Sequence, residues 1–212
     1  MMQRFCYGNP EASIVLLQLV DTHDLAGMDK EIEAIRHLTD MDFCLTAVKV
    51  NRWNADLSPW TAPAVFGNEP FGDGASVTLA EVLQYTDDSE KTYFIGGYSL
   101  AGLFALWAAY QTDVFDGVAA ASPSLWFPGF KDYMHEALIR SHSVYLSLGT
   151  QEPRTRNPVM ATVGDRIREA AALLKAQQVN CTLEWNPGNH FKDADLRTAK
   201  AFAWLMLHAL QA

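Results

Sequence analysis

The stretch that leaves this chain the fewest choices runs Tyr93-Phe94-Ile95-Gly96-Gly97-Tyr98-Ser99-Leu100-Ala101-Gly102-Leu103-Phe104-Ala105-Leu106-Trp107. A short apolar run suited to a buried strand is followed by a tight glycine-flanked turn. An uncharged apolar helix comes next. A helix without a polar face must be covered on all sides, so it has to lie against a sheet inside the molecule. Ser99 falls at the tip of the turn. The local pattern Gly97-Tyr98-Ser99-Leu100-Ala101 follows G-x-S-x-G, with alanine in place of the last glycine. Gly97 leaves room for the backbone to fold back, and Ala101 and Gly102 let the helix approach the strand. The Leu100 N–H emerges from the helix N-terminus, where it can donate to a developing oxyanion. The plainer alternative is a serine that caps a core helix from an ordinary turn.

The 212 residues suit one domain spanning 1–212, and the length suffices for a full hydrophobic core. A net charge of −9 argues against a nucleic-acid partner held by a basic surface. Cys6, Cys44 and Cys181 are scattered without a C-x-x-C spacing, which points to neither a metal site nor a disulfide framework. They read as buried thiols of a reducing compartment. The first residues carry one Arg and no long apolar segment, so a cytoplasmic location without a signal peptide is expected. No apolar run approaches the ~20 residues of a membrane span. No nucleotide-binding glycine pattern follows a strand.

Read in order, the chain alternates strands and helices throughout. Residues 3–7 suit an edge strand, and 13–20 are so continuously apolar that both faces must be buried. A loop at 21–24 precedes a helix over 28–39, then a strand over 43–50. Residues 51–74 form a long aromatic-rich loop, of a length usually reserved for function. A helix over 75–86 leads to the serine turn. Strands follow at 117–121, 143–148 and 181–185. Helices are expected at 131–140, 159–178 and 191–210. Such alternation calls for a three-layer α/β/α sandwich around a mostly parallel sheet. Functional groups then belong in the loops at the strands' C-terminal ends.

That rule narrows the partners of Ser99. A serine nucleophile needs a base, and the base needs an orienting acid. Of the histidines beyond Ser99, His135 and His208 lie within helices, and His142 precedes a strand at its wrong end. His190 follows the last strand on Pro187-Gly188-Asn189, where the geometry requires it. The loop at 122–130 has no carboxylate, and 149–157 has one, Glu152. Asp165 is within a helix; Asp193 and Asp195 sit on the histidine's own helix. Glu152 is therefore the candidate acid; its bland alternative is a solvated pair with Arg154 or Arg156. A second oxyanion donor is expected from the 21–24 loop, at the backbone of Thr22, although no His-Gly-Gly motif marks it. Trp53, Trp60, Tyr98, Trp126, Phe127 and Phe130 are candidates for an apolar substrate wall.

With these residues in place, the chain resembles a small member of the α/β-hydrolase superfamily, nearest to its esterase branch. That branch includes S-formylglutathione hydrolase-like enzymes, siderophore trilactone esterases and mycolyltransferases. The resemblance rests on Gly97-Tyr98-Ser99-Leu100-Ala101-Gly102-Leu103, on Ser122-Pro123-Ser124-Leu125-Trp126 and on Gly188-Asn189-His190. It implies a Ser99–His190–Glu152 triad, no metal or other cofactor, and hydrolysis of a small-molecule ester through an acyl-enzyme. Thioesterase and acyltransferase chemistry would use the same residues, and a non-catalytic binding protein could share the fold. Two departures stand out: Ala101 for glycine, and no insertion large enough for a cap domain. The second implies an open site.

Overall fold

The computed structural model describes residues 2–209. Seven strands form one sheet: β1 Gln3–Gly8, β2 Ile14–Val20, β3 Cys44–Lys49, β4 Thr92–Tyr98, β5 Gly117–Ala121, β6 Ser143–Gly149 and β7 Asn180–Asn186. Their order is β1-β3-β2-β4-β5-β6-β7. Only β1 runs antiparallel, along β3 at the edge; every other pairing is parallel. This is the three-layer α/β/α architecture expected from the alternation.

The period-2 rule of a strand explains how both faces close. On β2, Val15, Leu17 and Leu19 join the core under α3 (Ala75–Val82), α4 (Leu100–Gln111) and α6 (Val163–Ala176). Ile14, Leu16 and Val20 join the opposite core with α1 (Thr22–Leu38) and α7 (Ala194–His208). The elbow helix α4 is buried from Leu100 to Tyr110, as an uncharged helix must be. A short helix, α5 (Phe130–Glu136), completes the α4 side.

The differences from expectation have local causes. Helix α1 begins at Thr22, six residues before the reading of the apolar stripe. Asp21 accepts the Asp24 N–H at 2.8 Å, and Asp24 accepts the Asp21 N–H at 3.1 Å, a reciprocal capping box. The 51–74 loop is not structureless: α2 (Trp53–Asp56) opens it, and Ala62 and Phe71 pair in a single antiparallel bridge. The expected helix over 159–178 keeps its regular part at 163–176. The last helix starts at Ala194 because Pro187 to Asp193 turn around His190, and its expected end at residue 210 lies outside the described residues. Cys6 is exposed on β1, Cys44 is buried and Cys181 is half-buried, so the expectation of three buried thiols holds for Cys44 alone.

Candidate active site

Ser99 sits between β4 and α4 with φ 58° and ψ −118°. Such a conformation is costly for a residue with a side chain, on the order of 1–3 kcal/mol. The surroundings enforce it. The Ser99 N–H donates to the Ala121 carbonyl at 3.0 Å, and its own carbonyl receives the Leu103 and Ser124 N–H groups. A Cβ on Gly97 would lie 2.5 Å from the Ala101 Cβ, so the alanine that replaces the usual glycine is accommodated by Gly97. Ser99 occupies the N-cap position of α4 but makes no capping bond. Its hydroxyl is directed elsewhere, which disposes of the helix-cap alternative.

That hydroxyl lies 3.0 Å from His190 Nε2, and His190 Nδ1 lies 2.7 Å from Glu152 Oε2. The three residues come from β4–α4, β6 and β7, at the C-terminal ends of their strands. Ser124 Oγ is a second hydroxyl 3.2 Å from Ser99 Oγ.

Glu152 is nearly enclosed, and its other oxygen is saturated. Oε1 accepts the Gly149 N–H at 2.7 Å, the Ser122 hydroxyl at 2.9 Å and Arg197 Nη1 at 2.9 Å. Burial alone would raise the carboxyl's pKa, but the His190 hydrogen bond and charge, with the Gly149 and Ser122 donors, pull it below the ordinary range. The acid therefore stays ionised at neutral pH. Neither Arg154 nor Arg156 is its ionic partner; Arg197 is.

Arg197 is the residue that sequence reading missed. It is 1% exposed, on α7. Nη1 also donates to the Tyr98 hydroxyl at 3.0 Å and to Ser122 Oγ at 3.1 Å, while Nη2 donates to the Asn189 carbonyl at 2.9 Å and the Pro187 carbonyl at 3.3 Å. Tyr98 in turn donates to the His190 carbonyl at 2.7 Å. One buried cation thus ties Glu152 to the loop that carries His190. The signal was present: Arg197 stands four residues before Ala201 on the apolar stripe of α7, where a lone charge requires a partner.

Two cavities flank His190, and one of them reaches Ser99. One of about 240 Å³ contains Ser99, His190, Trp53, Tyr98, Asp21 and Asp24 on its walls. The other, about 530 Å³, lies across His190 and is walled by Trp126, Met160, Val163, Arg154, Gln151 and Phe191. Phe191 borders both and is 88% exposed. Of the expected wall, Trp53, Tyr98 and Trp126 face these cavities. Trp60 and Phe127 do not: Trp60 donates to the Pro128 carbonyl and packs on Phe127, Phe130 and Tyr133. Phe127 and Phe130 are buried in that cluster, so their role is to fix the 51–74 loop to the core.

Leu100 is the first residue of α4, and Thr22 is the first of α1. The amides of Asp21 and Asp24 are used by the capping box, whereas the first-turn amides of Thr22 and His23 have no i−4 partner within the helix. No group of His, Cys, Asp or Glu among the described residues is arranged to hold a metal ion.

No protein-family model and no curated protein sequence matches the chain. Solved structures do. A siderophore hydrolase, EstA, from Aspergillus nidulans superimposes with a TM-score of 0.68 at 19% identity, over 97% of this chain and 86% of its own. An IroE-like serine hydrolase from Shewanella oneidensis gives 0.72 at 13% identity, over 95% and 74%. A monoacylglycerol lipase from Paleococcus ferrophilus gives 0.64 at 17% identity, over 98% and 99%. The chain has the α/β-hydrolase fold.

Proposed function

We propose that the protein is a serine hydrolase that cleaves a carboxylic ester of a small molecule through an acyl-enzyme on Ser99. The observation that carries this reading is the unbroken chain Ser99 Oγ–His190 Nε2–His190 Nδ1–Glu152 Oε2, at 3.0 and 2.7 Å. A binding protein would need neither this chain nor a strained serine at its end.

In the reaction, His190 Nε2 takes the Ser99 proton as Oγ attacks the ester carbonyl. The Leu100 N–H and an amide of the 21–24 turn, with Thr22 assigned the role, hold the oxyanion; such a donor is worth about 3 kcal/mol. Protonated His190 then gives its proton to the departing alkoxide. Glu152 keeps the proton of the neutral imidazole on Nδ1 and stabilises the imidazolium. A water molecule, activated by His190, attacks the acyl-enzyme, and collapse of the second tetrahedral intermediate returns Ser99. Water reaches the site because Ser99 and His190 are only partly buried beside open cavities. No helix among the described residues is long and apolar enough to cross a membrane.

The test is labelling with a neutral fluorophosphonate, read by intact mass and peptide mapping, alongside hydrolysis of short-chain and aromatic esters. A single adduct on Ser99 that His190→Ala suppresses is expected, with ester turnover lost in the same variant. Absence of both the adduct and turnover in the wild type overturns the reading.

A further inference from the structure

Beside the Ser99 cavity lies a second polar chamber that the triad does not use. Strand β2 presents Ile14, Leu16, Gln18 and Val20 to α1 and α7, so an amide stands in an otherwise apolar row. Facing it on α1 is Glu31, among the buried Met28, Ile32 and Ile35. Gln18 Nε2 donates to Glu31 Oε2 at 3.2 Å. Gln18 is 2% exposed and Glu31 3%. Each nonetheless keeps an unpartnered oxygen, Gln18 Oε1 and Glu31 Oε1. Burial, reinforced by the charges of Asp24 and Asp195, pushes the Glu31 pKa up to about 8. Two apolar side chains would fill this place without that cost, so an unsatisfied polar pair here needs a reason.

The chamber supplies one. It holds about 420 Å³, and its walls include Gln18, Glu31, Lys30, Asp24, Asp193 and Asp195. His23, Asp24, Tyr98, Phe191 and Ala194 line both this chamber and the Ser99 cavity, so the two adjoin. Asp24, Asp193 and Asp195 form no salt bridge with any Lys, Arg or His among the described residues. The carboxylates are too dispersed for a metal ion. An extended organic cation with N–H donors meets both needs: charge for the aspartates and hydrogen bonds for the two free oxygens.

We propose that the chamber between α1 and α7 is a subsite for a protonated primary amine on the substrate, making this an esterase for amino-substituted esters. The inference rests on Ser99 being the nucleophile. The ammonium group donates to Gln18 Oε1 and to Glu31 Oε1, Glu31 releasing its proton to water as the cation binds, and Asp24, Asp193 and Asp195 balance the remaining charge. The other half of the ester lies across His190 against Trp126, Met160 and Phe191.

The test compares matched esters at neutral pH. On the alcohol side, the pair is a 3-aminopropyl and a butyl ester of one acid. On the acyl side, it is a 6-aminohexanoyl and a heptanoyl ester of one alcohol. One pair should favour the amine by roughly tenfold or more in kcat/KM. The preference should shrink in Glu31→Gln and in Asp195→Asn; because the readout is a ratio, any loss of folded enzyme cancels. Binding of n-butylammonium chloride, followed by the side-chain amide signal of Gln18, is read without turnover. A saturable shift in wild type that weakens in both variants is expected. No amine preference in either pair, or no saturable shift, overturns the proposal. If the neutral fluorophosphonate still labels Ser99, the hydrolase reading stands without the subsite.

Discussion

Two clusters of polar side chains are buried at the same end of this sheet, and they are built on opposite terms. Around Glu152, one carboxylate oxygen receives three donors and the other meets His190. Around Glu31, one carboxyl receives a single long bond from Gln18 and leaves an oxygen unpaired. Both acids are enclosed, yet the first is held ionised and the second neutral. The difference lies in the donors. Arg197, the Gly149 amide and Ser122 replace the water that Glu152 lost, whereas Glu31 has one amide. The donor-rich cluster, although Arg197 Nε in it has no partner, fixes geometry inside the protein. The donor-poor one retains hydrogen-bonding capacity for something that arrives from outside.

The comparison can be broken first at the output of the Glu152 cluster. Ser99→Ala should lower ester turnover by about 10⁴-fold or more while the protein remains folded, checked by kinetics and thermal melting. Turnover at the wild-type level would remove the catalytic reading of this cluster.

Arg197→Met strikes the cluster at its buried cation and leaves Glu152 without its ionic partner. Stability should fall by about 3–5 kcal/mol in denaturant unfolding. Adding Glu152→Gln should restore part of that stability without restoring turnover, because the lost charge is no longer stranded but the orienting acid is gone. A loss under about 1 kcal/mol in Arg197→Met would mean that the cation is dispensable to the fold.

Acid–base linkage separates the two clusters by sign. The Glu31 pKa is raised, so the folded state binds more protons than the unfolded one between about 4.5 and 8. Its contribution is greatest below the unfolded value and is lost as the pH rises through 8. Wild type should therefore lose ground to Glu31→Gln across that window, at a slope of up to about 1.4 kcal/mol per pH unit. The Glu152 pKa is lowered, so its contribution is complete above 4.5 and lost as the pH falls through the folded-state value. The gap between wild type and Glu152→Gln should close on acidification. Melting temperatures from pH 3 to 9 check both slopes, and parallel slopes would contradict the contrast.

Ser124→Ala is the mildest probe. Its hydroxyl supports Ser99 Oγ from 3.2 Å but stands outside the proton path. A loss of a few-fold in kcat is expected, about 1 kcal/mol for one neutral hydrogen bond. A loss approaching that of Ser99→Ala would place Ser124 in the chemistry itself.

The features legible in the sequence were those set by short-range constraints. Gly97, Ser99 and Ala101 announce a strand that turns sharply into a helix, since only small residues permit the turn. Glu152 and His190 could be located because parallel strands all end on the same side, so loop position predicts nearness. The Asp21–Asp24 capping box was equally present in the sequence. It reads as a loop because the apolar stripe of α1 starts only later. Trp60 and Phe127 look identical in kind to Trp53 and Trp126. Which of them faces the cavity depends on the course of the 51–74 loop, which contacts distant in sequence decide.

What the sequence determined by itself was the alternation of elements, the layered architecture and the turn that presents Ser99, all products of hydrophobic period and local backbone sterics. Only the tertiary structure decided which charges meet. It brought Arg197 on the last helix to Glu152 after β6, 45 residues away, and set Gln18 of β2 against Glu31 of α1. The physical reason is that an ionisable side chain's energy depends on the few ångströms around it. Those neighbours are assembled by packing from remote segments, so no local pattern can specify whether a buried charge will find its partner.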